Sequence, residues 1–248
     1  MSPTAAGLLT IDCGNSTLDC FRHADGARLV LPAGAVDRTA LRQLVAHPAV
    51  RSAYACTVVS DGLRELELLL AARGAPLRVA GRDFTYPLRL DYLTPATLGA
   101  DRWVGAYAAF VRHGRAIVVD CGTATTVNLV EACGTFRGGA IGPGLRAFVA
   151  GLAAVTPALP TPDLDADPEL PPRSSQAAVD CGVVLGWCGL VERLVAGTLA
   201  AAAGPAHVVV TGGNATRLLR HARLRAQHVP DLVHQGLLAL AEQVACGS

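Results

Sequence analysis

Two short segments carry the same arrangement of potentially reactive residues. The first reads Leu8-Leu9-Thr10-Ile11-Asp12-Cys13-Gly14-Asn15-Ser16-Thr17 and the second Ala116-Ile117-Val118-Val119-Asp120-Cys121-Gly122-Thr123-Ala124-Thr125. Each is four mainly apolar residues, then Asp-Cys-Gly, two residues and Thr. An Asp closing a buried strand stands at the mouth of a cleft, where its carboxylate can hold a cation. The Gly two residues on permits a tight turn and a close approach to a ligand. The polar side chains that follow, with the exposed N–H groups of the turn, form an anion-binding nest. Two such hairpins facing each other would cradle the phosphates of a nucleotide between two domains. Phosphoryl transfer needs mostly positioning and charge neutralisation, which these groups supply. Either copy alone is equally an ordinary Asp-Gly turn. The repetition, joined by a late Val208-Val209-Val210-Thr211-Gly212-Gly213, separates the pair from that reading. A Gly-Gly after a C-terminal strand can lie flat against an adenine ring.

Composition narrows the chemistry. All 21 basic residues are Arg, with no Lys in the chain. A Walker A loop, a protein-kinase ATP site and a Schiff-base site all need Lys, so each is excluded. Phosphate must be handled by backbone N–H groups, hydroxyls, Arg and a carboxylate-held metal. Net charge is +1, which gives no reason to expect a nucleic-acid or anionic-membrane partner. The eight Cys include no Cys-x-x-Cys pair, so neither a zinc site nor a disulfide framework is expected. The seven His make no zincin spacing, and Gly-x-Ser-x-Gly is absent. The N-terminus lacks a signal-peptide pattern. Apolar stretches are interrupted before the ~20 residues of a membrane span. A reduced, cytosolic, soluble protein is expected.

The elements that must position these residues alternate between strand and helix. Strands are expected over Leu8–Ile11, Cys20–Arg22, Ala53–Val59, Leu77–Ala80, Ala116–Val119, Thr126–Val130, Phe136–Gly144 and His207–Val210. Helices are expected over Ala40–Val45, Gly62–Ala72, Gly99–Arg112, Leu145–Leu152, Val179–Ala203 and Leu232–Val244. Pro87–Pro95 reads as irregular, and the Pro- and Asp-rich Pro157–Pro172 as a mobile surface loop. The pattern restarts after Gly114, which argues for two α/β domains, 1–113 and 114–248.

The two Asp-x-Gly hairpins and the Thr-Gly-Gly resemble the phosphate-1, phosphate-2 and adenosine motifs of the superfamily of actin, hexokinase and heat-shock chaperone ATPases. Within it the chain resembles the type III pantothenate kinases, on Gly99-Ala100-Asp101-Arg102-Trp103, Asp120–Thr126, Gly138–Gly144 and Thr211-Gly212-Gly213-Asn214-Ala215. The resemblance covers nearly the whole chain. It implies two ribonuclease-H-like domains with a nucleotide cleft between them. It implies ATP-dependent phosphorylation of pantothenate to 4′-phosphopantothenate, the first step of coenzyme A synthesis. Asp101 would be the general base. Arg102 would hold the pantothenate carboxylate, with Tyr92, Gly99, Ala100 and Ser175 also at the substrate. ATP would lie against Asp12, Cys13, Gly14, Asn15, Ser16, Thr17, Leu18, Asp19, Thr123, Gly212 and Gly213. Asp12 would hold Mg²⁺ and Asp120 a monovalent cation, K⁺ or NH₄⁺. A cytoplasmic homodimer with the substrate pocket near the interface is also implied.

Two positions depart from the family. Ser16 stands where Thr is usual. The substrate-contacting Thr, counted back from Gly182, falls on Ser175, with Ser174 as its neighbour. A regulatory protein on the same scaffold, a sugar kinase or a polyphosphate hydrolase are the alternatives. Gly99–Arg102 argues against the other enzymes, and the intact Asp12, Asp101 and Asp120 against a purely regulatory role.

Overall fold

The computed structural model describes residues 2–57 and 63–246. Val58 and Val59, expected to close a strand, and Gly62, expected to open a helix, lie outside the described residues. The chain divides into two compact units, Met1–Arg112 with Leu232–Ser248, and His113–Asp231.

The first unit is built on a five-stranded sheet, β1 (Leu8–Cys13), β2 (Thr17–Arg22), β3 (Ala27–Pro32), β4 (Ser52–Thr57) and β5 (Leu77–Val79), in the order β3-β2-β1-β4-β5. The β1-β2-β3 meander is antiparallel, and β4 and β5 join it in parallel. Parallel entry requires crossovers. These are α1 (Arg38–Ala46) and α2 (Arg64–Ala71). Leu41, Leu44, Leu66 and Leu70 of the two helices pack with Leu9, Ile11 and Leu18 of the sheet. Asp37 caps α1 by accepting from the Thr39 and Ala40 N–H groups. A two-residue strand β6 (Arg89–Leu90) precedes α3 (Ala100–His113).

The second unit repeats this plan. Its strands β7 (Ala116–Cys121), β8 (Ala124–Val130), β9 (Thr135–Pro143), β10 (His207–Thr211) and β11 (Gln227–His228) run in the order β11-β10-β7-β8-β9. Again a three-strand antiparallel meander is extended by two parallel strands. This 3-2-1-4-5 order, found twice, is the ribonuclease-H-like topology that the family resemblance implies. The helices are α4 (Leu145–Val155), α5 (Ser175–Ala201) and α6 (Ala215–His221). Two glycines let backbones meet. A Cβ at Gly139 would fall 2.7 Å from Asn128 Cα, and one at Gly144 2.8 Å from the Thr123 carbonyl carbon.

Two expectations are revised. The 27-residue α5 is long and apolar enough to meet a membrane-span criterion, which the sequence reading did not allow for. Its Val179, Val183, Trp187, Val191 and Val195 lie at helical spacing in the core of the second unit, and this accounts for much of its apolar character. The final helix α7 (Leu232–Cys246) was expected with the C-terminal half, yet it packs in the first unit. Gly236 permits this, because a Cβ there would sit 2.7 Å from Val104 Cγ1 of α3. Tyr107 OH donates to Gln243 Oε1 at 3.0 Å, and His234 Nδ1 lies 2.9 Å from Thr10 Oγ1. Four elements, β3, β6, α6 and β11, were not anticipated, and β6 falls within the Pro87–Pro95 segment expected to be irregular. Pro157–Pro172 contains no helix or strand, as expected.

Candidate active site

The turn of the first hairpin is closed by Gly14 N–H donating to Thr17 O at 2.9 Å, and Ala33 N–H donates to Ser16 O at 2.9 Å. Asn15, Ser16 and Thr17 are exposed at its tip. Cys13 and Leu18 flank it but are buried in the core, so only their backbone is available to a ligand. Asp12 stands opposite Asp19 of β2 and Cys56 of β4. The Cys56 thiol donates to Asp12 Oδ1 at 3.3 Å. Burial raises the Asp12 pKa. His234 and the Cys56 hydrogen bond oppose the rise, while the charges of Asp101 and Asp19 add to it.

Asp19 behaves oppositely. Burial alone would raise it, but His234 and Arg28 hold it below the usual carboxylate range. Arg28 Nε lies 3.0 and 3.1 Å from its two oxygens, and His234 Nε2 lies 3.5 Å from Oδ1. The Asp19 carboxylate is therefore committed to structural partners, which was not foreseen for an ATP-contacting position.

The substrate segment also assembles in the first unit. Trp103 is fully buried and meets Tyr86 and Phe84 edge-on, at ring separations of 5.1 and 6.3 Å. This anchor holds the start of α3, where Asp101 is half-buried. Burial raises the Asp101 pKa, opposed by the Arg102 N–H, which donates to Oδ1 at 2.8 Å, and by the guanidinium charge. Arg102 is buried, with NH1 3.3 Å from Tyr92 OH and its guanidinium 5.7 Å from the Tyr92 ring centre. Gly99 O accepts from Arg102 N–H at 3.2 Å, and Ala100 is buried as the first residue of α3. Tyr92, Gly99, Ala100, Asp101 and Arg102 thus come together, and Asp101 lies within electrostatic range of Asp12.

In the second unit Asp120 pairs with Thr126 on one side and Thr211 on the other. Gly212 has φ +89°, and a Cβ there would fall onto Asp120 Oδ1 and 2.7 Å from the Cys121 backbone. Only Gly fits. Asn214 donates to Cys121 O through its N–H (3.0 Å) and Nδ2 (3.3 Å). The Thr-Gly-Gly turn is in this way pinned to the second hairpin, and it brings Gly212 beside Asp120. Thr123 is exposed at the hairpin tip. Trp187 Nε1 donates to Thr125 Oγ1 at 3.0 Å, and Thr125 donates to Pro143 O at 3.1 Å. Ser174 is the cap of α5, its hydroxyl accepting from Ala177 N–H at 3.2 Å. Ser175 is the first helical residue and exposed.

Among the described residues no group of three or more His, Cys, Asp or Glu is arranged to hold a metal. A site for Mg²⁺ does not need one. Mg²⁺ keeps several waters and takes one or two carboxylates plus substrate phosphates. Asp12, a hard oxygen donor crowded by Asp101 and Asp19, fits such an ion. Asp120, with Gly122 and Gly212 leaving backbone close to its carboxylate, offers oxygen donors suited to a monovalent cation.

A family model for type III pantothenate kinase matches residues 8–197. The type III pantothenate kinase of Rhizorhabdus wittichii is 35% identical over 97% of this chain and 99% of its own length. The chain belongs to the type III pantothenate kinase family. Among solved structures, a Campylobacter jejuni protein assigned to the Baf family of transcriptional activators superposes with a TM-score of 0.61 at 20% identity, covering 96% of this chain and 99% of its own. A Sinorhizobium meliloti protein assigned as a 2-dehydro-3-deoxygalactonokinase gives 0.57 at 16% identity, over 96% and 99%. Both share the fold of this pantothenate kinase family member. Sequence reading had not singled out Cys56 or His234. A Cys in a strand beside the Asp12 strand was the only available signal for the first, and none marked the second.

Proposed function

We propose that this chain transfers the terminal phosphoryl group of ATP to the hydroxyl of pantothenate, yielding 4′-phosphopantothenate. As a member of its family it is a phosphotransferase of coenzyme A biosynthesis, with ATP as co-substrate. The observation that carries the residue assignment is the meeting of Arg102 with Tyr92 beside Asp101, whose charge reaches Asp12.

Asp101 accepts the proton of the pantothenate hydroxyl. Burial raises its pKa, which makes it a better base than an exposed Asp. Arg102 binds the pantothenate carboxylate, using a planar fork that Tyr92 holds in place. Ser175 contributes a hydroxyl to the substrate. Asn15, Ser16, Thr17 and Thr123 present hydroxyl, amide and backbone groups to the phosphates. Gly212 and Gly213 offer a flat surface to the adenine. Asp12 would hold Mg²⁺ and Asp120 K⁺ or NH₄⁺. Bound there, these cations would neutralise phosphate charge, the main requirement of a loose phosphoryl-transfer transition state. The working form is a cytoplasmic homodimer.

Purified protein supplied with ATP, Mg²⁺, K⁺ and pantothenate tests the assignment through ADP release. Pantothenate-dependent ADP is expected. Its absence overturns the reading.

A further inference from the structure

We propose that Cys56 is a positioning residue for the cation-binding carboxylate of Asp12. The inference rests on the role given to Asp12 above. Asp12 of β1 and Cys56 of β4 are register partners in a parallel pair, so their side chains leave the same face of the sheet. Cys56 is fully buried and Asp12 only partly so. The terminal torsion of a carboxylate is soft, and an unsupported Asp turns freely. Here the thiol donates to Oδ1 at 3.3 Å. A thiol can donate and an ionised carboxylate only accepts, so the direction of the bond is settled by chemistry. One oxygen is tied to the sheet and the other is left to face an incoming cation. Outer partners of this kind orient ligating carboxylates, and their loss typically costs about 10–100-fold in metal affinity.

The internal repeat supplies a control. Thr211 of β10 occupies the position opposite Asp120 that Cys56 occupies opposite Asp12. Its hydroxyl donates elsewhere, to Pro230 O at 3.3 Å. The same topological position orients the Asp in one unit and ties down a loop in the other, so the Cys56–Asp12 bond is a feature of this residue pair and not of the fold.

The test compares Cys56→Ala and Cys56→Ser. Binding of Mn²⁺ in the presence of ATP, followed by the electron-spin resonance signal of free Mn²⁺, is read together with the Mg²⁺ dependence of turnover. Cys56→Ala is expected to weaken both by about tenfold, with KM for pantothenate unchanged. Cys56→Ser, which keeps a donor, is expected to restore at least half of that loss on a logarithmic scale. In an Asp12→Asn background Cys56→Ala should have no further effect on Mn²⁺ binding. Cation-free thermal midpoints confirm that each variant is folded. Wild-type Mn²⁺ binding in Cys56→Ala, or equal defects in both variants, overturns the proposal. If no variant and not even the unmodified protein phosphorylates pantothenate, the functional reading fails, while the Mn²⁺ titration still decides the role of Cys56.

Discussion

The two Asp-Cys-Gly hairpins occupy the same place in two sheets of the same order, yet their surroundings differ in kind. Around Asp12 the neighbours are charged or titratable. Asp19, Asp101, His234 and Cys56 all act on its carboxylate. Around Asp120 the backbone packs closely, with Gly212 against its carboxylate, Gly144 against the Thr123 turn and Asn214 on the Cys121 carbonyl. The first hairpin is electrostatically loaded and the second is sterically closed. Excess negative charge favours a divalent cation and the phosphates it accompanies. A tight backbone cage favours fixed geometry. A duplicated fold can therefore divide its labour without changing the motif, because neighbours contributed by other strands and helices set the properties of each Asp.

Four experiments bear on this contrast. The largest effect is expected at the charged side. Asp101→Asn should lower kcat by about 10²–10⁴-fold, the range for loss of a general base, with ATP affinity little changed. Near-normal turnover would move the chemistry away from the first unit. Next is the steric side. Gly212→Ala forces a side chain into a left-handed conformation and onto Asp120, and should cost about 3 kcal/mol by denaturant unfolding. Gly14→Ala, whose Cβ would meet nothing nearer than Thr17 O at 3.7 Å, should cost less than about 1 kcal/mol. Equal costs would erase the contrast. Third, Asp12→Asn should raise the Mg²⁺ needed for half-maximal rate by about tenfold, while Asp120→Asn should do so for K⁺. A crossed result would reverse the assignment of the two cations.

The smallest effect concerns pH. The folded-state pKa of Asp12 is raised, so the native state binds more protons there than the unfolded chain. Its contribution to stability is complete below the usual Asp range and is lost as pH rises through the folded value. Asn mimics the protonated form. Cation-free Asp12→Asn should then melt above the unmodified protein at pH 7, with the gap closing as pH falls through the folded value to the usual Asp range, near ~4. Asp19 has the opposite shift, so removing its charge should destabilise at pH 7. An Asp12→Asn protein that is less stable at pH 7 would show that the charge crowding around Asp12 is relieved within the fold.

Much of the architecture was legible in the chain. Apolar runs ending in Asp marked β1 and β7, and the duplicated pattern anticipated two α/β units. Strand β3 escaped because its Leu29-Val30-Leu31 run shows no apolar–polar alternation in sequence although its burial alternates, and it ends in Pro32. Helix α6 is only seven residues long and β11 two, too short for a periodic signal. Asp101 and Arg102 lie in the first turn of α3 and Tyr92 only 10 positions before Arg102, so one short stretch of sequence carries all three.

What the sequence determined alone was local: the turn chemistry of Gly14 and Gly122, the Asp at each strand end, and the absence of Lys that left carboxylate-held cations and backbone to handle phosphate. The tertiary structure decided which side chains load each Asp. His234 reaches Thr10 across 224 positions, and Cys56 meets Asp12 across 44. Parallel register and helix docking bring these together, and both depend on burying apolar faces of distant segments at once. No local pattern carries that information. The Asp-Cys-Gly motif therefore states where a ligand can be held, and the packing around it decides what kind.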